Sequence, residues 1–364
     1  MKHAIHRSIE AMIHPETLSV ALGQSVNSAR LAPFTIAGWS ATGSDFLGVH
    51  VNQEQQPSLV VKRMSMEWDW LMHTTGDIHA RSVMAWAHGL LDQMPSEIDT
   101  TVIACAYDGA GQAILMYNVT EALLSGDDRL SESQNEIVLN AMASLHATFW
   151  EDAVLRNPAL GLCSLADFIT HTAPDKCERL LGILPDTEVV NIMLGGWRLL
   201  PAFVDRDVAN LLTSLARDPS ILVAALDAYP RTLVHGDLRV ANIGVPADQP
   251  QRAIFLDLAR LSPAPPAIDL AYYLVTSNSS LPVSPEKTME IYEERLAQRL
   301  GSRFDESWWQ PQLELCLLAS FLPISCFKAW FAAQLQDASE RAEAQASFDW
   351  WSEHVRRAAK RLPH

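Results

Sequence analysis

The run Leu233-Val-His-Gly-Asp-Leu-Arg-Val-Ala-Asn-Ile-Gly244 decides how this chain is read. Leu233 and Val234 make a short apolar strand, after which the chain turns through His235, Gly236 and Asp237. Asn242 comes five positions after Asp237 and opens a hairpin: one strand over Asn242–Val245, a turn at Pro246–Pro250, and a second strand over Arg252–Asp257. Pairing of those strands carries Asn242 and Asp257 toward each other. A carboxylate at the loop tip, Asp237, suits the holding of a hydroxyl and the removal of its proton. The Asn242 carbonyl and the Asp257 carboxylate are oxygen donors of the kind Mg²⁺ takes. Held hydroxyl and neutralised phosphate charge are together what phosphoryl transfer demands.

On the N-terminal side of this run, apolar alternation predicts strands over residues 33–62. PFTIAGW, FLGVHV and PSLVVKR are the segments, and Gly38-Trp-Ser-Ala-Thr-Gly43 is a tight turn between the first two. Val83, Trp86, Ala87, Leu90 and Leu91 recur at helical steps and predict a helix over 78–92. TTVIACAYD and GQAILMYNV, joined by Asp108-Gly-Ala-Gly111, read as a β-hairpin. After Asn118 the pattern becomes helical, with a helix over 131–150 and a last helix striped by Phe348, Trp351, Val355, Ala358 and Leu362. The expected organisation is an α+β chain with a small sheet lobe at 1–119 and a larger, mainly helical lobe at 120–364.

Composition narrows the function. The net charge of −16 and the lack of a basic stripe argue against nucleic acid as a partner. The sequence has no uninterrupted apolar run of about 18 residues, and its N-terminus lacks the pattern of a secretory leader. Neither a membrane nor export is therefore expected. The five cysteines, Cys105, Cys163, Cys177, Cys316 and Cys326, form no CxxC pair and read as buried thiols of a reducing cytoplasm.

His235-Gly-Asp237 with Asn242 and Asp257 resembles the aminoglycoside phosphotransferase and choline kinase superfamily, whose members share the protein-kinase-like fold. Asp269-Leu-Ala271 resembles the family's Asp-Leu-Ala that braces the catalytic loop, and Leu145-His-Ala147 with Phe149-Trp150 resembles a helix motif of the same proteins. The resemblance spans about residues 33–275. It implies a two-lobed kinase-like fold, with Asp237 as catalytic base and His235 orienting its loop. It also implies Asn242 and Asp257 on Mg²⁺, and Lys62 on the phosphates of ATP, with GTP left open. Ser40, Thr42 and Gly43 would cover the phosphates, and Tyr117 and Val119 would lie at the interlobe hinge. The acceptor would be a small hydroxylated molecule, an aminoglycoside-like or other cationic alcohol among the options. Asp167, Asp175, Glu178, Asp205 and Asp207 are candidate acids for its pocket.

One position departs from the kinase pattern. The glutamate that a kinase helix offers to the strand lysine is replaced by Ser82. Glu67, Asp69 and Asp77 stand as substitutes, with Glu67 favoured. A nucleotide- or partner-binding protein without turnover is the alternative that this departure keeps open.

Overall fold

The computed structural model describes residues 3–35, 45–125, 129–249 and 251–363. A five-stranded antiparallel sheet runs in the order Ala29–Pro33, Asp45–Val51, Leu59–Met64, Gly111–Tyr117, Val102–Asp108. Its two faces follow from strand periodicity. Leu59 and Val61 point to one face, where they join Ile9, Met12 and Leu18 from the helices Ile9–Met12 and Pro15–Leu22. Val60 and Met64 point to the other face and join the main core. Lys62, two residues from each, shares that inner face and so looks toward the helical lobe.

Two expected elements shift. The first strand spans Ala29–Pro33 rather than PFTIAGW, most of which falls among the undescribed residues 36–44. The helix expected over 78–92 is a single stretch, Arg81–Ala87, followed by a 3₁₀ turn at Leu91–Gln93. Gly89, at φ +71°, takes a left-handed conformation between them, which ends a right-handed helix. The hairpin of Val102–Asp108 with Gly111–Tyr117 forms as expected.

The larger lobe is helical. Helix Glu132–Thr148 opens with a capping box between Ser131 and Gln134, which satisfies two end amides. Helix Glu306–Gln334 is long and apolar enough to cross a membrane, yet 78% of its apolar window is buried inside the protein. It approaches helix Glu188–Leu199 so closely that a Cβ at Gly196 would lie 1.9 Å from the Cys326 carbonyl oxygen. All five cysteines are buried thiols. The expected short strands form: Ile243–Gly244 pairs antiparallel with Ala253–Phe255, and Thr232–Val234 pairs with Ser262–Ala264, a strand the sequence pattern did not mark. This is a two-lobed, α+β architecture.

Candidate active site

Strand Thr232–Val234 ends at the loop His235–Asp237, and a buried carboxylate holds that loop. Asp269 accepts the amides of His235 and Gly236, each at 2.7 Å, and sits 3.1 Å from His146 Nε2. His146 Nδ1 in turn meets the Tyr292 hydroxyl at 2.5 Å. Burial alone raises a carboxyl pKa, but the His146 hydrogen bond and charge, with the loop amides, hold Asp269 below its ordinary value. Gly236 has φ +79°, and a Cβ there would lie 2.4 Å from the Arg260 carbonyl oxygen, so only glycine lets the loop seat against residue 260. His235 Nδ1 accepts the Asp237 amide at 3.2 Å. Its ring is buried beneath the loop and off the wall of the cleft described below, in place to hold Asp237.

Both Asp237 oxygens accept hydrogen bonds. Arg260 Nη2 donates to Oδ1 at 2.8 Å, and Asn242 Nδ2 donates to Oδ2 at 3.0 Å and to the Asp237 backbone carbonyl, also at 3.0 Å. Arg260 is buried, its guanidinium 4.3 Å from the Tyr272 ring centroid. Its Nη1 faces His171 Nε2 at 2.9 Å, while His171 Nδ1 donates to the Phe168 carbonyl at 2.7 Å. Burial first, and the Arg260 charge second, keep His171 neutral by pushing its pKa well below the ordinary value. Sequence reasoning did not single out Arg260. Its position three residues past Asp257 was the available signal, but only the fold brings it to Asp237.

Asp257 adopts φ +64°, a left-handed conformation unusual for a non-glycine residue and worth about 1–3 kcal/mol of strain. The turn presents its carboxylate to the cleft, 2.9 Å from Lys62 Nζ. Burial acts to raise the Asp257 pKa, but Lys62 outweighs it and holds the group below its ordinary value. The hairpin register sets Asn242 beside this turn, since the Leu256 amide donates to the Asn242 carbonyl at 2.9 Å. Because Asn242 spends its amide nitrogen on Asp237, its side-chain oxygen is left as a donor to a cation. One amide oxygen and one carboxylate fit Mg²⁺, which binds through one or two protein groups and completes its shell with phosphate and water.

Lys62 therefore finds its anion in Asp257. Glu67, the favoured substitute, is exposed, and among the described residues no ion pair joins it to Lys62. Asp77 is committed elsewhere: both its oxygens accept the Arg81 amide, at 2.8 and 2.9 Å. Arg81 donates onward to the carbonyls of Gly161 and Ala259, which ties helix Arg81–Ala87 to the helical lobe. Asp69 is buried and acts on Lys62 through space while capping helix Trp70–Thr75. Burial, opposed by Lys62, pushes the Asp69 carboxyl up to about 7. Asp69 and Asp77 are turned inward by the amides they cap, and Glu67, without such a role, faces solvent.

These groups line one cleft of about 1170 Å³ between sheet and helices. Lys62, Asp237, Asn242 and Asp257 lie on its wall, and so do Tyr117 and Val119 at the chain crossing. Ser40, Thr42 and Gly43 lie outside the described residues. The cleft also takes in Arg239, which the sequence reading passed over; its Nε is buried without a partner among the described residues, and its charge helps keep Asp257 ionised. The five candidate pocket acids are not on the wall. Asp205 and Asp207 pair with Arg356, Asp167 with Lys176 and Asp175 with Arg179.

The sequence model of the ecdysteroid kinase-like family matches residues 202–302, the segment holding Asp237, Asn242, Asp257 and Asp269. No curated protein sequence matches the chain. Choline kinase from Cryptosporidium parvum Iowa II is similar in structure, with a TM-score of 0.53 at 10% identity over 91% of this chain and 90% of that one. Plasmodium vivax ethanolamine kinase gives 0.51 at 11% identity over 96% and 90%. An aminoglycoside phosphotransferase from Streptomyces rimosus, solved with ADP and streptomycin, gives 0.47 at 19% identity over 80% and 92%. The chain has the two-lobed protein-kinase-like fold of the choline and ethanolamine kinases.

Proposed function

We propose that this protein transfers the γ-phosphoryl group of a nucleoside triphosphate, ATP foremost, to a hydroxyl of a small molecule. The observation that carries this reading is the convergence of Asp237, Asn242, Asp257 and Lys62 on one cleft. Residues 1–119 would supply the nucleotide side and residues 120–364 the acceptor side, and the buried thiols suit a cytoplasmic enzyme.

Asp237 orients the acceptor hydroxyl and takes its proton, with Arg260 and Asn242 fixing the carboxylate. The hydroxyl oxygen bonds to the γ-phosphorus as the bond to the bridging oxygen breaks. The products are a phosphomonoester and a nucleoside diphosphate, and Asp237 releases the proton to solvent. Lys62 and Arg239 hold phosphate oxygens. Asn242 and Asp257 would hold Mg²⁺, which when bound neutralises phosphate charge.

The test is nucleoside diphosphate release from Mg²⁺-ATP, and separately from Mg²⁺-GTP, across a library of hydroxylated compounds. Acceptor-dependent release that falls at least about a hundredfold in Asp237→Asn supports the proposal. Nucleotide binding with no release for any acceptor would establish a binding protein instead.

A further inference from the structure

The cleft continues past Asp237 into a region built from three helices. Helix Glu306–Gln334 presents Ile324, Phe327, Lys328 and Phe331, which at three- and four-residue steps form one helix face, and Leu335 just past its end extends the lining. Tyr272 and Val275 of helix Ala267–Ser277, with Phe348 of helix Ala338–Ala359, complete the lining. At about 1170 Å³ the whole cleft exceeds the roughly 300–1,000 Å³ of a single small-ligand site, which leaves room for two ligands side by side.

Lys328 stands out in this wall. Its open surface faces the cleft, and among the described residues no carboxylate, carbonyl or hydroxyl is hydrogen-bonded to its ammonium. Burial is what lowers its pKa, to about 8, with no carboxylate offsetting it. A cation in apolar surroundings without an anion is costly, and a ligand that brings the anion recovers that cost. Glu340 and Glu343 also reach the cleft, but both are exposed at the rim, in contact with solvent. Ser347, on the same helix as these glutamates, has a buried hydroxyl with no partner among the described residues, a second polar group left for a ligand.

Resting on the phosphotransferase reading, we infer that the acceptor is a predominantly apolar alcohol bearing a carboxylate, with its hydroxyl at Asp237, its hydrocarbon body along the Ile324–Leu335 face and its carboxylate on Lys328. Lys328 is then a specificity-determining residue. The wall contacts select hydrocarbon by excluding water, and the ammonium selects an anion over a neutral or cationic end group.

The experiment measures binding apart from catalysis. Calorimetry on the nucleotide-free protein compares three probes of equal length: 12-hydroxydodecanoate, dodecane-1,12-diol and 12-aminododecan-1-ol. The acid is expected to bind about tenfold to a hundredfold more tightly than the diol, the worth of one charge-assisted hydrogen bond, and the amino alcohol more weakly than either. Lys328→Met should bring the acid down to the affinity of the diol, and Lys328→Arg should retain the preference. The melting temperature of each unliganded variant checks folding, and Lys328→Gln replaces any variant that fails it. Equal affinities for the three probes, tightest binding of the amino alcohol, no binding of the acid, or acid binding untouched by Lys328→Met would each overturn the inference. Adding Mg²⁺-ATP then separates the two readings: an acid that binds through Lys328 but is never phosphorylated, while another alcohol is, overturns the carboxylate acceptor, whereas acid binding with no release for any acceptor sinks the phosphotransferase reading and leaves the carboxylate site standing.

Discussion

Replacing Arg260 by methionine should strand the Asp237 carboxylate. Arg260 is 2% exposed and gives Asp237 Oδ1 its hydrogen bond at 2.8 Å, so only Asn242, a neutral donor, remains after the change. Breaking a buried ion pair from one side costs about 3–5 kcal/mol. The Asp237 side chain keeps 12% of its surface open to the cleft, which places the cost at the low end, about 3 kcal/mol. Methionine fills much of the space over Tyr272 and Phe168, so packing adds little. Asp237→Asn alone carries a different penalty. Both carboxylate oxygens accept, so the new amide must turn its NH₂ toward either Arg260 or Asn242, each a donor, at about 1–3 kcal/mol, besides leaving the buried Arg260 charge unpaired at about 3 kcal/mol. In the double variant the stranded charge is gone from both sides, and the loss should fall short of the sum of the singles by about 1–2 kcal/mol.

Denaturant unfolding of the apo protein reads all three variants without an acceptor. Arg260→Met should also melt roughly 4 °C lower, as about 3 kcal/mol implies for a chain of 364 residues. Arg260→Lys should rescue only in part, because one ammonium cannot meet Asp237 and His171 while lying flat on Tyr272. Strict additivity, or an Arg260→Met variant within about 1 kcal/mol of wild type, would refute the role of this pair in holding the His235–Asp237 loop.

Asp257→Ala should abolish turnover or raise the Mg²⁺ requirement by at least about tenfold, read from initial rates against Mg²⁺ concentration; unchanged dependence would remove Asp257 as a ligand. Because the folded pKa of His171 lies well below the ordinary 6.5, the unfolded chain takes up a proton first, so stability should fall as pH drops below about 6.5. His171→Asn, whose carbonyl can still accept from Arg260, should flatten that part of the stability profile, and an identical acid limb would refute the assignment. Asp69 has the opposite sign. A folded pKa raised from 3.8 to about 7 withdraws stability as pH rises between those values, on the order of 4 kcal/mol, so Asp69→Asn should gain on wild type across that window in denaturation curves. Nucleotide KM should respond severalfold to Asp69→Asn and stay unchanged in Glu67→Gln, and the reverse would restore Glu67 as the partner of Lys62.

The sequence by itself determined what depends on neighbours along the chain. The turn at His235–Asp237, the hairpin that brings Asn242 beside Asp257, and the alternation that puts Val60 and Lys62 on one face are local, and strand periodicity and turn chemistry made them legible. The brace at Asp269 was legible only through resemblance, since 33 residues separate it from the Gly236 amide it accepts. The tertiary structure decided the partners. Asp257 rather than Glu67 takes Lys62, because a left-handed turn aims one carboxylate inward while the other stays in solvent. Arg260 joins Asp237 only because Gly236 lets the two loops touch. The acids Asp205 and Asp207 were spent on Arg356, and an apolar helix face with Lys328 took the cleft instead. Charge along a sequence does not say which charges meet, because pairing is fixed by packing distance and desolvation, and both exist only once the lobes have closed on each other.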